Sequence, residues 1–224
     1  MTDPALQALL DKLQIAELLT RYLRSVDRGD VDTLRACYLP GATEDHGGLF
    51  AGPAQDYVDS IAAALTHPRS RTSHNLTNLL IDLDGDVATA ESYCVTFARI
   101  KADGQYYHSF TGARMIDRLE RRDRDPRTWG IAHRQLVWDW NHDAPEEEHW
   151  MRGLLAPDPS VLRMSAKFPA DPVYAPADPG TRAQPVRNHN PPYRTLRERH
   201  ETPDPVRLNA LDSRFHSVRR TGQP

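Results

Sequence analysis

The chain has 224 residues, with 28 Lys and Arg against 31 Asp and Glu and a formal net charge of −3 at pH 7. That length allows one sizeable core with or without an appendage, and the near-neutral balance removes any electrostatic drive toward nucleic acid or an anionic membrane surface. Cys37 and Cys94 form no C-x-x-C pair, no apolar run reaches the ~20 residues of a membrane span, and no leader pattern follows Met1, so a cytoplasmic protein is expected.

Asp3 before Pro4 predicts a capped helix start. Ile15, Leu18, Leu19, Tyr22, Leu23 and Val26 then recur at the spacing of one buried helical face. Gly29 is the expected stop, and Asp30 caps a short second helix expected to reach about Leu39, where Pro40-Gly41 ends it. A third helix is predicted over residues 53–66, from Pro53 through Tyr57, Val58, Ile61 and Leu65, with Pro68 closing it.

From Arg71 the period turns extended. Residues 72–83, 87–101, 105–120 and 128–140 read as strands; Asp84-Gly85-Asp86 and Asp103-Gly104 are hairpin signals between the first three. The charged run Glu120–Arg127 reads as a solvated turn, and a short strand near Ala42–His46 is expected to join an edge. Helices followed by an antiparallel meander give an α+β fold, three helices over one face of a curved sheet. The half-open cone so formed has a mouth and an apolar closed end, a natural place for a small molecule.

After Asn141 the composition changes, with 13 of the 18 prolines falling there. Residues 1–141 are therefore expected to form the folded domain and residues 142–224 a proline-rich extended arm. Residues 145–155 have the pattern for another turn or two of helix. Phe168, Val173, Tyr174, Tyr193 and Phe215 are the apolar anchors by which such an arm would lie on a surface, its own or a neighbouring subunit's.

Asp27 is the first residue that points to chemistry. It continues the buried stripe four residues beyond Leu23, at a helix C-terminus whose dipole disfavours a negative charge. A carboxylate set against both rules needs a partner. His74 opens the first long strand, where alternation places His74, Leu76, Asn78 and Leu80 on one face as polar groups among leucines. Tyr22 shares the helical stripe. Tyr38, Asn78, Tyr93, His108, Arg134 and Trp138 are the expected substrate-binding residues, with Arg134, Leu136, Trp138 and Trp140 sharing one face of the last strand. No H-E-x-x-H, Cys/His cluster, phosphate loop, G-x-G-x-x-G or G-x-S-x-G occurs, so neither a metal nor a cofactor is expected.

Several segments together resemble the SnoaL-like domain of the NTF2-like superfamily: His74-Asn75-Leu76-Thr77-Asn78-Leu79-Leu80-Ile81-Asp82-Leu83-Asp84-Gly85-Asp86-Val87-Ala88 with Ser92-Tyr93, Gly112, Arg114, Asp117-Arg118-Leu119, Trp129-Gly130-Ile131-Ala132-His133-Arg134, and Ile15 to Asp30. The resemblance covers about residues 5–141. It implies an NTF2-like cone, and it brings in lyases such as scytalone dehydratase, bile acid 7α-dehydratase and γ-hexachlorocyclohexane dehydrochlorinase. The Asp–His pair of the latter two matches Asp27 and His74, and the bile acid enzyme's tyrosine matches Tyr22. Met115 departs from the tyrosine many relatives carry, and the C-terminal arm is longer than theirs. Formaldehyde-releasing enzymes of similar type also belong here, and such relatives form dimers or trimers, so a homo-oligomer is expected.

The residues and the resemblance together lead to a cofactor-independent lyase acting on a hydrophobic, aromatic or polycyclic small molecule. In it Asp27 fixes the His74 tautomer, His74 removes a proton and Tyr22 donates to the leaving group or an oxyanion. Other readings of the same pocket are an isomerase, a hydrolase, or a non-catalytic small-molecule-binding or assembly protein.

Overall fold

The computed structural model describes residues 3–122, 125–146 and 165–174. Helix α1 (Pro4–Arg28) starts at Asp3, whose side chain accepts from the Ala5 N–H, and stops at Gly29 in the left-handed conformation. All six residues of the apolar stripe are buried, and Asp27 is buried with them. Asp30 caps α2 (Val31–Cys37) by accepting from the Thr33 N–H. Here the expected boundary moves. The helix ends at Cys37, and Pro40-Gly41 lie inside strand β1 (Tyr38–Asp45), Gly41 taking the positive φ that lets the strand bend. Strand β2 (Ala51–Pro53) leads into α3 (Ala54–Thr66).

The meander is built from β3 (Arg71–Asp84), β4 (Val87–Ala102), β5 (Gln105–Arg122) and β6 (Asp125–Pro145). The sheet order is β2-β1-β6-β5-β4-β3. β3 to β6 pair antiparallel, but β1 runs parallel to β6 and is flanked by β2, so the sheet is mixed and β1 is not its edge. The strands extend beyond the expected turn at Glu120–Arg127, since β5 runs to Arg122 and β6 resumes at Asp125. Register shifts at Leu76/Leu79 and Gly112/Ala113 mark bulges, which bend strands and exchange the faces of the residues beyond them. The three helices pack on the concave face, and the core lies between α1, α3 and that face. This is the expected α+β arrangement of three helices on a curved sheet.

Of the residues read as an arm, 147–164 and 175–224 lie outside the described residues, and with them the anchors Tyr193 and Phe215 and all but the first two residues of the helical turns expected over 145–155, of which Pro145 ends β6. β6 continues to Pro145, and Glu146 holds Arg99 by a bidentate pair at 2.7–3.0 Å. Residues 165–174 lie across the end of α1. There the Phe168 N–H donates to Arg28 O and Lys167 Nζ donates to the backbone oxygen of Asp27, both at 2.7 Å. Among the described residues no helix is long and apolar enough to cross a membrane.

Candidate functional site

A cavity of about 210 Å³ opens on the concave face. α1 supplies Tyr22, Leu23 and Val26, α3 supplies Tyr57, and the loop after β1 supplies His46. The sheet contributes His74 from β3, Cys94, Thr96 and Ala98 from β4, Thr111, Ala113 and Met115 from β5, and Arg134, Leu136 and Trp138 from β6.

Asp27 and His74 meet at its wall. His74 Nδ1 stands 2.6 Å from Asp27 Oδ1, and the His74 backbone N–H donates to Asp27 Oδ2 at 2.9 Å. Two donors from one residue hold one carboxylate, so ring and backbone are fixed together. Burial alone pushes the Asp27 carboxyl up, but the hydrogen bonds and charge of His74 outweigh it and leave it below the ordinary carboxylate range. An ionised Asp27 requires the proton on Nδ1, which leaves Nε2 as the ring's free nitrogen. His74 also lines a surface groove with Thr20, Arg24, Arg28 and Asn75, so the pair stands between cavity and solvent.

Tyr22 is buried, with its ring 3.9 Å beneath the Arg134 guanidinium and its hydroxyl 3.3 Å from that of Tyr38. Burial raises its pKa, so the phenol keeps its proton. Arg134 is fully buried and pairs bidentately with Asp117 at 2.6 and 2.9 Å, directly across the β5–β6 register. Removal from water works against the Arg134 charge, and Asp117 more than restores it. Its Nη1 has no hydrogen-bond partner among the described residues.

The other expected substrate-binding residues divide. Trp138 lines the cavity, and its Nε1 donates to Gly47 O at 3.0 Å. Trp140 does not share that face: the bulge opposite Gly112/Ala113 turns it outward over Gly112. Tyr38 is buried beneath the cavity rather than in its lining, and its hydroxyl gives its proton to Glu44 Oε2 at 2.7 Å. Asn78 is corrected to the solvent side, because the bulge after Leu76 sets Leu79, Ile81 and Leu83 inward in place of Asn78 and Leu80. Tyr93 and His108 lie on the outer face. Tyr93 sits near Arg114, and His108 is 3.4 Å from Glu146 and edge-on to Phe97. Outward positions on β4 and β5 cannot reach the concave side, since alternate residues point to opposite faces.

Sequence reasoning missed a second carboxylate–imidazole pair. Glu44 is buried, with Oε1 2.9 Å from His46 Nδ1, and His46 Nε2 lies 3.2 Å from Tyr57 Oη. The period of two places Ala42, Glu44 and His46 on one face of the expected short strand, and that signal was available. Among the described residues no group of three or more His, Cys, Asp or Glu gathers to hold a metal ion.

Residues 7–135 match the family model of the SnoaL-like domain. No curated protein matches the chain. Among solved structures, a type 3 hexachlorocyclohexane dehydrochlorinase from Novosphingobium barchaimii LL02 is 18% identical with a TM-score of 0.53, covering 65% of this chain and 96% of that one. A protein provisionally named a scytalone dehydratase, from Novosphingobium aromaticivorans DSM 12444, is 18% identical with a TM-score of 0.52 over 62% of this chain and 90% of that one. The Kfla4162 protein of Kribbella flavida is 19% identical with a TM-score of 0.52, covering 60% and 95%. At these identities the likeness establishes the fold.

Proposed function

Because the chain belongs to the SnoaL-like domain family, we propose that it is a cofactor-independent lyase in which His74 is the base and Asp27 orients it. Two structures of the same fold carry lyase names, a dehydrochlorinase and a provisional dehydratase. The fold hosts many chemistries, so the reading rests on the site itself. The observation that carries it is the 2.6 Å contact between His74 Nδ1 and Asp27 Oδ1, with the ring on the wall of a mainly apolar cavity.

In the proposed reaction, Nε2 takes a proton from a carbon of the substrate. The C–H electron pair becomes the new double bond, and the bond to the leaving group breaks with its electrons. The Tyr22 hydroxyl donates to the departing or charge-bearing oxygen. Asp27 stabilises the imidazolium that results, and the adjoining groove offers the proton a way to solvent. A positioned base of this kind contributes roughly 10²–10⁴-fold. A volume of about 210 Å³ is below the ~300–1,000 Å³ of clefts for drug-sized ligands, so a single-ring substrate fits better than a polycyclic one.

The test compares wild type with His74→Ala on 4-hydroxy-4-phenylbutan-2-one, a one-ring β-hydroxy ketone whose elimination gives a strongly absorbing enone. Wild type is expected to form the enone and the variant to be slower by about 10²–10⁴-fold. Equal rates remove His74 from the reaction and end the proposal.

A further inference from the structure

The cavity has a second polar end that the lyase step does not use. His46 follows β1, and His74 stands on β3. These strands lie at opposite sides of the sheet with β6, β5 and β4 between them, yet both imidazoles line one cavity.

The fully buried Glu44 carboxylate fixes this second ring. Oε2 accepts the Tyr38 proton at 2.7 Å and Oε1 lies 2.9 Å from His46 Nδ1, so both oxygens are engaged and the ring's Nδ1 is committed to the carboxylate. The ring is held on its flat side by Tyr57, stacked at 4.7 Å and 26°, and at its edge by Trp138 at 5.7 Å. What remains for the cavity is His46 Nε2 and, 3.2 Å away, Tyr57 Oη. At that separation the two atoms already form a long hydrogen bond, which a ligand hydroxyl donating to Nε2 and accepting from Tyr57 Oη would replace. Burial pushes the Tyr57 hydroxyl far up, so it remains a donor. The rest of the lining is mainly apolar, with Val26, Ala113, Met115 and Leu136, and includes the polar side chains of Tyr22, Thr96, Thr111 and Arg134. A donor and a ring nitrogen set by a buried carboxylate, in a mainly apolar chamber, are suited to one hydroxyl on a flat ring.

We propose that Glu44, His46 and Tyr57 form an oxygen-binding station, and that the substrate is a single-ring phenol or ring alcohol anchored there by its hydroxyl. The anchored ring lies across the sheet floor and presents its reacting carbon to His74. Glu44 acts as a positioning residue, and His46 and Tyr57 touch the ligand. The inference rests on the lyase reading only in taking this cavity as the substrate site, and its test uses no turnover, so the two fail separately.

The probes are p-cresol and p-xylene, which match in shape and differ by a hydroxyl in place of a methyl. Affinities are measured by NMR titration of wild type, Tyr57→Phe and His46→Phe, with circular dichroism as the folding control. Wild type is expected to bind p-cresol about tenfold more tightly than p-xylene, because the xylene methyl leaves buried polar groups unpaired. Each folded variant is expected to lose that preference while keeping p-xylene affinity within a few-fold. Wild type that binds neither probe, or both equally, overturns the proposal. So does a folded variant that retains the full preference for p-cresol. If neither variant folds, the wild-type ratio decides.

Discussion

Replacing Asp27 by Asn changes one atom's chemistry and almost no volume, so its consequence can be worked from the two bonds it serves. Asp27 accepts from His74 Nδ1–H at 2.6 Å and from the His74 backbone N–H at 2.9 Å. Asparagine has one acceptor and one donor group. If its oxygen stays on the backbone amide, its NH₂ faces Nδ1, and the imidazole proton must move to Nε2, the atom required as base. If it turns the other way, an NH₂ opposes a buried backbone N–H. Either arrangement loses one charge-assisted bond of about 1.5–3 kcal/mol, expected to lower Tm by roughly 3–12 °C at about 2–4 °C per kcal/mol. Turnover is expected to fall by about 10²–10⁴-fold, roughly 3–5 kcal/mol of barrier. The assay is ¹⁵N NMR of the imidazole nitrogens: protonated Nδ1 and bare Nε2 in wild type, the reverse in the variant. Unchanged tautomer and unchanged Tm in Asp27→Asn would refute the argument that the carboxylate sets the ring.

Arg134→Met leaves Asp117 buried without its counter-charge and is expected to cost about 3–5 kcal/mol by urea denaturation, more than the Arg134→Met/Asp117→Leu pair. Gly47→Ala meets both a positive φ of 59° and the Trp138 Nε1 at 2.4 Å. A loss of about 1–3 kcal/mol and altered tryptophan fluorescence are expected. Asp11 and Asp27 both sit below the ordinary carboxylate range: burial raises each, and Arg121 with Trp129, or His74, overcomes it. Groups depressed in the folded state stabilise it above their unfolded value near 4 and lose that contribution as pH falls through the folded one. The stability gap between wild type and Asp11→Asn or Asp27→Asn is therefore constant near neutrality and closes below about pH 4, measured by denaturation at successive pH values.

What could be read from the sequence was local. The stripe from Ile15 to Val26, the Asp3 and Asp30 caps, the Gly29 stop and the Asp-Gly hairpins each depend on a few neighbouring residues, and each lies where expected. Asp27 was recognisable because it broke two local rules at once, on a face that had to be buried. Its partner was legible only as a polar residue among leucines, since nothing local says which strand the end of α1 will meet.

Two of the misplaced residues share one cause. Asn78 and Trp140 were assigned by extending a period of two past points where two residues oppose one across the ladder. A bulge is set by the curvature the whole sheet needs to close over its helices, and Thr77-Asn78 or Trp138-Asp139-Trp140 carry no local mark of it. The parallel β1–β6 pairing is non-local in the same sense, and it decides the far side of the cavity. It draws the strand bearing Glu44 and leading to His46 against Arg134 and Trp138, between which and His74 the rest of the sheet forms the floor. Two carboxylate–imidazole pairs thus reach one chamber from opposite ends of the sheet, one written in a helix that breaks its own pattern and the other in a strand pairing that no short stretch of sequence contains.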